Sequence, residues 1–223
     1  MPSNRERVLE RLRGAQLTHA SAALPALNDA ALFANYPTRE DLLEHFAEKL
    51  IGLKGEFFRV HDAQQAALRV QELLVSFSNK TTELGLCQAH PLVHEVLAHE
   101  PWLQEHAKMI SPDLPHDIFA RYECGVTAAD FLIARTGSIV LNAASAGGRR
   151  LSVLPPLHIV LATAAQAVAS LEDALARADK TAASYMTIIT GPSRTSDIEK
   201  ILVLGAHGPK RLAVIVSDND FVR

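Results

Sequence analysis

The sequence has few cysteines. Only Cys87 and Cys124 occur among its 223 residues, and they do not form a CxxC motif. A four-thiolate iron–sulfur or zinc site therefore cannot be built from this chain alone. A chain of this length can bury enough surface to fold without a disulfide, so a reducing cytosol is the expected compartment. We predict a cytoplasmic protein that holds no cofactor of its own.

Strong positive charge and long apolar runs are also missing. The net charge is −3 and the pI is near 6.4, with no basic stripe of the kind that nucleic-acid-binding proteins carry. The longest mostly apolar stretch, His158 to Leu171, is too short and too polar to cross a bilayer. Residues 1–15 are charged and lack the apolar core of a signal peptide. We therefore expect no nucleic-acid partner and no membrane span.

Several catalytic motifs are absent as well: the sequence contains no GxGxxG, GxSxG or Walker pattern. Its 10 histidines include one near match to the zinc motif HExxH, formed by His94, Glu95 and His99. These two histidines are five positions apart instead of four, so they would lie about 140° apart around a helix. We therefore predict no metal site.

What the sequence does contain is typical of a globular α/β protein, with 48% apolar and 21% charged residues. Apolar periodicity predicts helices over 3–13, 38–54, 62–77, 91–99, 102–109 and 163–178, and strands over 56–60, 139–143, 151–154, 158–162, 185–190 and 212–216. A further helix is expected to end at Leu204, which makes the last part of the chain a β–loop–α–β unit. This alternation predicts a largely parallel sheet with helices on both faces, a three-layer α/β architecture. We divide the chain into an N-terminal helix and arm, 1–37, and an α/β domain, 38–223.

The loop from Gly191 to Asp197 is the strongest local signal for a ligand site. It leaves a predicted strand and enters a predicted helix, where free backbone N–H groups and the helix dipole favour a carboxylate or phosphate. Arg194 adds a planar charged fork for two-point contact with an anion. The loop residues predicted to bind a ligand are Gly191, Pro192, Ser193, Arg194, Thr195 and Asp197. The alternative is a plain helix cap, because Ser196 and Glu199 have capping-box spacing.

A second polar turn, Arg135-Thr136-Gly137-Ser138, precedes a predicted strand. Gly137 permits backbone conformations closed to other residues, and its two hydroxyl neighbours can line a pocket. The alternative is a turn whose hydroxyls bond their own backbone. Just upstream, Thr127 is a candidate ligand contact, and Asp130 is a carboxylate that either performs acid–base chemistry or caps a helix.

A third turn places His207 between Gly205 and Gly208. Glycines on both sides keep the backbone close to a ligand and the imidazole reachable, so a general acid–base role near neutral pH is one interpretation. A turn histidine whose hydrogen bonds are satisfied within the fold is the other.

Four segments together resemble the LUD domain family, and within it the lactate utilization protein C group. They are GVTAADFLIA at 125–134, TGSIVL at 136–141, GPSRTSDIE at 191–199 and VLGAHGP at 203–209. The resemblance covers the C-terminal half closely, and the last two segments at this spacing are specific. The family usually has an acidic residue before the Thr-Gly-Ser turn. Here that position is Arg135, which would instead add positive charge for a carboxylate ligand.

The resemblance implies a fold like that of the sugar-phosphate isomerase and CoA transferase group (NagB/RpiA/CoA transferase-like). It also implies membership of a three-part bacterial system that oxidises L-lactate to pyruvate, whose partner subunits carry the iron–sulfur clusters. We therefore expect a subunit that binds a small carboxylate or phosphate, with the three turns meeting at the carboxyl end of the sheet. No electron-acceptor site is evident, which favours an accessory role.

Two alternatives stay open. The first is a stand-alone enzyme acting on an anionic small molecule by CoA transfer, sugar-phosphate isomerisation or folate-type cyclo-ligation. In that case Asp130, Glu199 or His207 would supply the acid–base chemistry. The second is a non-catalytic scaffold that docks the cluster-bearing subunits.

Overall fold

The structure of the protein is a computed structural model. It describes residues 5–11, 41–78, 84–111, 118–119, 121–142, 149–178, 186–196, 202–204 and 208–219, with only the backbone course given for 194–196 and 202–204. The chain divides into two compact units, Met1–Tyr36 and Pro37–Arg223. In the first unit, residues 5–11 form an exposed helix.

Six parallel strands form the central sheet of the second unit. They are β1 (Glu56–Val60), β2 (Gly85–Cys87), β3 (Ala107–Met109), β4 (Cys124–Ala128), β7 (Leu157–Thr163) and β12 (Arg211–Ser217). Their order across the sheet is β1-β12-β7-β4-β2-β3, and every neighbouring pair is parallel. Both faces of the sheet are covered, which explains why β4 and β7 are buried along their whole length.

One face of the central sheet carries helix α1 (Leu42–Gly52) and a second sheet. The strands of the second sheet are β5 (Phe131–Ile133), β6 (Ser138–Asn142), β8 (Ala167–Val168) and β9 (Met186–Ile189), in the order β8-β5-β6-β9. Strand β6 is antiparallel to both of its neighbours. Fully buried Phe46 and Leu50 on α1 pack with Leu132 of the second sheet and Val214 of the central sheet in one core.

The opposite face carries helices α2 (Ala63–Phe77), α3 (Pro91–Ala98) and α4 (Pro101–His106). Their starts follow from local chemistry, because Asp62 caps α2 through the N–H of Gln65 and a proline begins each of α3 and α4. The resulting layers are helices, central sheet, then α1 with the second sheet. The predicted three-layer α/β fold with a mostly parallel sheet is confirmed.

Three smaller elements complete the described part of the chain. Helix α5 (Arg150–Val153) packs on β4 and β7, and helix α6 (Leu171–Arg177) packs on β5 and β8. Strands β10 (Arg194–Ser196) and β11 (Leu202–Leu204) form an antiparallel hairpin.

Three predicted elements are wrong. The expected strand at 151–154 is the end of α5, and the expected helix at 102–109 stops at His106, after which β3 pairs with β2. The expected helix at 163–178 is divided, because one capping box at Thr163 closes a short turn and a second at Ser170 starts α6. Strand β8 lies between them and pairs with β5.

The C-terminal β–loop–α–β unit is also corrected. Strand β9 belongs to the second sheet, where it pairs antiparallel with β6, and β11 occupies 202–204, where a helix was expected. Only β12 of that unit is in the central sheet. Pairing partners distant in sequence therefore overrode the local pattern.

Candidate functional site

Two of the predicted polar turns are joined by hydroxyl groups. The Oγ of Ser138 lies 2.7 Å from Oγ1 of Thr136 and 2.8 Å from Oγ1 of Thr190. The turn between β5 and β6 is thereby linked to the end of β9. These hydroxyls bond one another, so the observed contacts differ from the alternative of a turn whose hydroxyls bond their own backbone.

The Gly191 turn also meets the third turn, at Gly208. The backbone N–H of Ser193 donates to the carbonyl of Pro209 at 3.0 Å. A Cβ added to Gly208 would lie 3.0 Å from the Cβ of Ser193, so the two chain segments touch without room for a larger residue. We call Thr136–Ser138, Gly191–Ser193 and Gly208–Lys210 the amino-edge turns.

The amino-edge turns lie at the opposite end of the central sheet from the one expected. Lys210 directly precedes β12, and its N–H donates to the carbonyl of Pro156, which precedes β7. A Cβ on Gly137 would lie 2.6 Å from the backbone nitrogen of Leu50, near the end of α1 from which β1 follows. The expectation of a carboxyl-end location is therefore wrong. The Gly208 turn enters a central strand, and the Gly191 turn leaves a strand of the second sheet.

The remaining predicted site residues are spread over the fold. Arg135 is exposed, whereas Thr127 is buried in β4 with its Oγ1 2.9 Å from Nε2 of His158. Arg194 and Thr195 lie in β10, of which only the backbone is described. Asp197, Glu199, Gly205 and His207 lie outside the described residues.

The topology predicts a crevice at the carboxyl ends of β2 and β4. After β2 the chain turns to α3 on one face of the central sheet, and after β4 it turns to β5 on the other face. Neighbouring parallel strands whose connections leave in opposite directions form the crevice where α/β proteins most often bind ligands. Asp130 follows β4 here, and His90 follows β2.

Two glutamine side chains fix the segment that leads to Asp130. Oε1 of the buried Gln88 accepts the backbone N–H of Ala128 at 2.8 Å. Nε2 of Gln166 donates to the carbonyl of Ala129, and the N–H of Ala129 donates to Leu161 at 2.9 Å. The backbone before Asp130 is therefore held from both neighbouring strands.

Replacing Gln88 by leucine is expected to destabilise the protein by about 1–3 kcal/mol, because it leaves the buried N–H of Ala128 without an acceptor. The matched control is Gln104→Leu, since Gln104 is exposed and water can replace its hydrogen bond to Ala98. Urea denaturation of the three proteins measures the difference. Equal unfolding free energies for the two variants would contradict the role given to Gln88.

Asp130 is half-buried and has one oxygen engaged. Its Oδ2 accepts the backbone N–H of Asn142 at 2.5 Å, and its own N–H donates to the carbonyl of Val140. Burial raises the pKa of Asp130, while the Asn142 N–H and the attraction of His90 oppose the rise. A carboxyl group of raised pKa in a crevice is a candidate acid–base group.

His90 caps helix α3 from the other side of the crevice. Its Nδ1 accepts the backbone N–H of Leu92 at 3.2 Å, so the neutral ring carries its proton on Nε2. Burial lowers the pKa of His90, and the attraction of Asp130 opposes the change. Each of the two side chains therefore influences the pKa of the other.

Asp130 was predicted from sequence, but His90, Gln88 and Gln166 were not. For His90 a signal existed, because a polar residue directly before Pro91 occupies the N-cap position that turns the side chain back over the helix start. For the two glutamines there was none, since their partners lie 40 and 37 residues away in sequence.

A separate pocket of about 530 Å³ lies beside the start of α1 and is lined by a run of alanines at 164, 165, 167 and 169. Its charged lining includes Arg59, which forms an ion pair with Asp218 at 2.7 Å, and Asp173, which caps α6.

Among the residues that the structure describes, no group of three or more His, Cys, Asp or Glu side chains could hold a metal ion. None of the described helices is both long and apolar enough to span a bilayer.

The fold defines a parallel α/β protein with a candidate ligand site at the carboxyl ends of two neighbouring strands. The chain belongs to the LUD domain family, whose sequence model matches residues 43–217. In structure it is similar to a DUF162 family protein from Deinococcus radiodurans, with a TM-score of 0.58 at 21% identity over 81% of this chain and 99% of the other. That likeness concerns the fold.

Relatives in sequence give the same family. The chain is 29% identical over 204 residues to the Escherichia coli K12 protein named "Uncharacterized protein YkgG", covering 86% of this chain and 85% of that protein. It is 36% identical to lactate utilization protein C of Deinococcus radiodurans, over 52% of this chain and 57% of the relative. Against lactate utilization protein C of Macrococcus caseolyticus it is 31% identical, over 55% and 54%. The chain thus spans little more than half of these last two relatives.

Proposed function

We propose that this chain is a subunit of an L-lactate utilisation system and works with iron–sulfur subunits in the oxidation of L-lactate to pyruvate. The observation that carries the proposal is the LUD domain match over residues 43–217, together with relatives named lactate utilization protein C. In this proposal the chain has an accessory role, and the iron–sulfur subunits carry the electrons.

The chemistry of the two cysteines supports a division of labour between subunits. Cys87 and Cys124 are free thiols and fully buried. Burial raises the pKa of Cys87 to about 12, and burial together with the neighbouring Cys87 raises that of Cys124. Cluster ligands are thiolates, so neither side chain is suited to bind iron. Iron–sulfur clusters would then be held by partner subunits.

A small carboxylate or phosphate is the ligand that we propose for the amino-edge turns. Gly137, Gly191 and Gly208 hold φ values of 64°, 81° and 153°, which bring the three turns together. Arg135, which directly precedes Thr136 in sequence, is exposed. Arg194 would complete the anion contacts, Asp197 would contact a hydrogen-bond donor of the ligand, and Glu199 and His207 are the acid–base candidates.

Deletion of the gene is expected to abolish growth of its host on L-lactate while leaving growth on glucose unchanged. Reintroduction of the full chain should restore growth, and the tagged chain should co-purify with proteins rich in CxxCxxC motifs. Growth yield and L-lactate consumption are the measurements. Normal growth of the deletion strain on L-lactate would refute the proposal. Restored growth with no co-purifying protein of this kind would mean that the chain acts without iron–sulfur partners.

A second candidate function is favoured by one observation, the placement of Asp130 and His90 across a crevice at the carboxyl ends of parallel strands. Such a pair suits a stand-alone enzyme that performs acid–base chemistry on a small molecule. CoA transfer, sugar-phosphate isomerisation and folate-type cyclo-ligation are the reaction classes to assay on the purified chain. Activity that survives Asp130→Ala would remove Asp130 from this role.

A further inference from the structure

We propose that the pocket lined by Ala164, Ala165, Ala167 and Ala169 binds a small zwitterion, a molecule with one carboxylate, one ammonium group and an apolar body. Apolar amino acids and short apolar peptides share this chemistry. We call this pocket, of about 530 Å³, the alanine pocket. It is separate from the amino-edge turns, and the proposal does not depend on a role of the chain in lactate utilisation.

The alanine pocket lies at the carboxyl edge of the central sheet. Ala164 directly follows β7, and Arg59 is the last residue but one of β1. Only β12 separates these two parallel strands, so their carboxyl ends lie at the same edge. The start of α1 and helix α6 supply further walls. Ligands of open α/β sheets bind at this edge, and their pockets have volumes of about 300–1,000 Å³.

Small apolar side chains form one wall of the alanine pocket. Ala167 and Ala169 alternate with Val168, which is buried in a different core. Because side chains alternate along an extended chain, the two alanines face the same side, and their methyl groups leave space beside α1. Leu42 and Leu43 on the first turn of α1 extend this apolar lining. The wall therefore suits an apolar ligand body.

Four charged side chains also line the alanine pocket within the described part of the chain, and two of them are satisfied by the fold. Nε of Arg59 donates to Oδ1 of Asp218 at 2.7 Å. Oδ2 of Asp173 accepts the backbone N–H and the hydroxyl of Ser170, both at 3.1 Å. These contacts neutralise or fix the two charges without a ligand.

The other two charged side chains, Glu44 and Arg177, have opposite signs and no hydrogen bond or ion pair among the described residues. Glu44 lies in the first turn of α1 and Arg177 in the last turn of α6, where the helix dipoles favour their ionised forms. Although they line one pocket, they form no ion pair with each other. A complementary charge for each of them must therefore come from solvent ions or from a ligand.

A single zwitterion supplies both charges. Its carboxylate accepts hydrogen bonds from the guanidinium of Arg177, and its ammonium group donates to the carboxylate of Glu44. A ligand with only a carboxylate would be repelled by Glu44, and one with only an ammonium group would be repelled by Arg177. The pocket therefore favours a molecule with both charges over either single ion.

NMR titration of the full chain tests the site with L-leucine, isocaproate and isoamylamine. Isocaproate is leucine without the ammonium group, and isoamylamine is leucine without the carboxylate. At millimolar concentration L-leucine is expected to shift the amide resonances of 164–169 and 42–44 in a saturable way. Its dissociation constant should be at least about threefold lower than that of either single ion.

L-leucyl-L-leucine distinguishes the two sources of the zwitterion, because its charges are farther apart and its apolar body is larger. Tighter binding of the dipeptide than of L-leucine would identify a peptide as the ligand, and weaker binding would identify an amino acid. In both cases the binding of a zwitterion supports the site.

Three variants test the individual contacts. Glu44→Gln should remove the preference for L-leucine over isocaproate, and Arg177→Gln should remove the preference over isoamylamine, because each variant removes one charge. Ala169→Leu should fill the space at the apolar wall and weaken L-leucine binding at least about tenfold. Glu105→Gln, on the exposed side of α4, is the matched control and should bind as the wild type does. Circular dichroism confirms that the variants are folded.

Binding of isocaproate or isoamylamine as tight as that of L-leucine would overturn the zwitterion site. Unchanged preferences in both Glu44→Gln and Arg177→Gln would do the same, as would the absence of a saturable shift with L-leucine and with the dipeptide. These outcomes are separate from the growth test. A chain that binds L-leucine but does not support growth on L-lactate would retain this site and lose the proposed function.

Discussion

Replacing Gly137 by alanine is expected to destabilise the protein by about 2–5 kcal/mol. Gly137 has a φ of 64°, a left-handed conformation that is strained for residues with a Cβ. The added Cβ would also lie 2.6 Å from the nitrogen of Leu50 and 2.8 Å from the carbonyl carbon of Lys49. Both are backbone atoms of α1, so relief requires movement of the helix against the second sheet. Urea denaturation gives the difference in unfolding free energy.

Gly52→Ala is the matched control for this variant. Gly52 is the last residue of α1, and a Cβ there would meet no atom within 4 Å. Alanine is a better helix former than glycine, so this substitution should be neutral or stabilise by up to about 1 kcal/mol. A Gly137→Ala protein as stable as the control would show that the turn can accommodate a Cβ, and the packing explanation of the glycine would then be wrong.

The glycines that indicated a pocket in the sequence are places where the chain approaches itself. Two further glycines behave like Gly137. A Cβ on Gly191 would lie 3.0 Å from Cβ of Leu53, and one on Gly208 would lie 3.0 Å from Cβ of Ser193. A glycine required for close approach of a ligand and one required for close approach of another segment look the same in a single sequence. A single sequence therefore indicates that something approaches these glycines closely, but it does not identify the segment or the ligand that does so.

The fold was more predictable than the site. Strands β7 and β12 are marked by buried apolar runs, and helix α2 by its periodicity and its Asp62 cap. The elements that were wrong are short and depend on distant partners, as β8 does on β5 and β3 on β2. Because a two- or three-residue strand has no periodicity of its own, only its pairing defines it.

The predicted location of the three turns was wrong because it assumed that β9 belongs to the central sheet. The carboxyl-end rule was applied to turns that follow β9 or precede β12, but β9 is outside the central sheet. Applied to β2 and β4 the rule leads directly to His90 and Asp130. Asp130 is predicted as a carboxylate just upstream of the Thr136–Ser138 turn, whereas His90 has no predicted role. The polar residue after each central strand was the available signal.

Acid is expected to destabilise the protein through His158, by up to about 1.4 kcal/mol for each pH unit. His158 is fully buried in β7, and burial lowers its pKa from 6.5 to about 3. Its Nε2 lies 2.9 Å from Oγ1 of Thr127, and within the described residues its Nδ1 has no partner. As the pH falls through 6.5 the unfolded chain binds a proton on this histidine, but the folded chain does not do so until about 3. The unfolding free energy therefore decreases throughout that window.

Urea denaturation of the wild type, His158→Leu and the double variant Thr127→Val/His158→Leu measures this contribution. The double variant removes both hydrogen-bonding partners, so it leaves no orphaned hydroxyl and is the safer folding background. Above pH 7 the imidazole is neutral in both states, and the differences there set the reference. On acidification the wild type should lose stability relative to both variants before most carboxylates titrate. Parallel pH profiles for all three proteins between neutral pH and about pH 5 would mean that His158 gains a proton in the folded state as easily as in the unfolded chain.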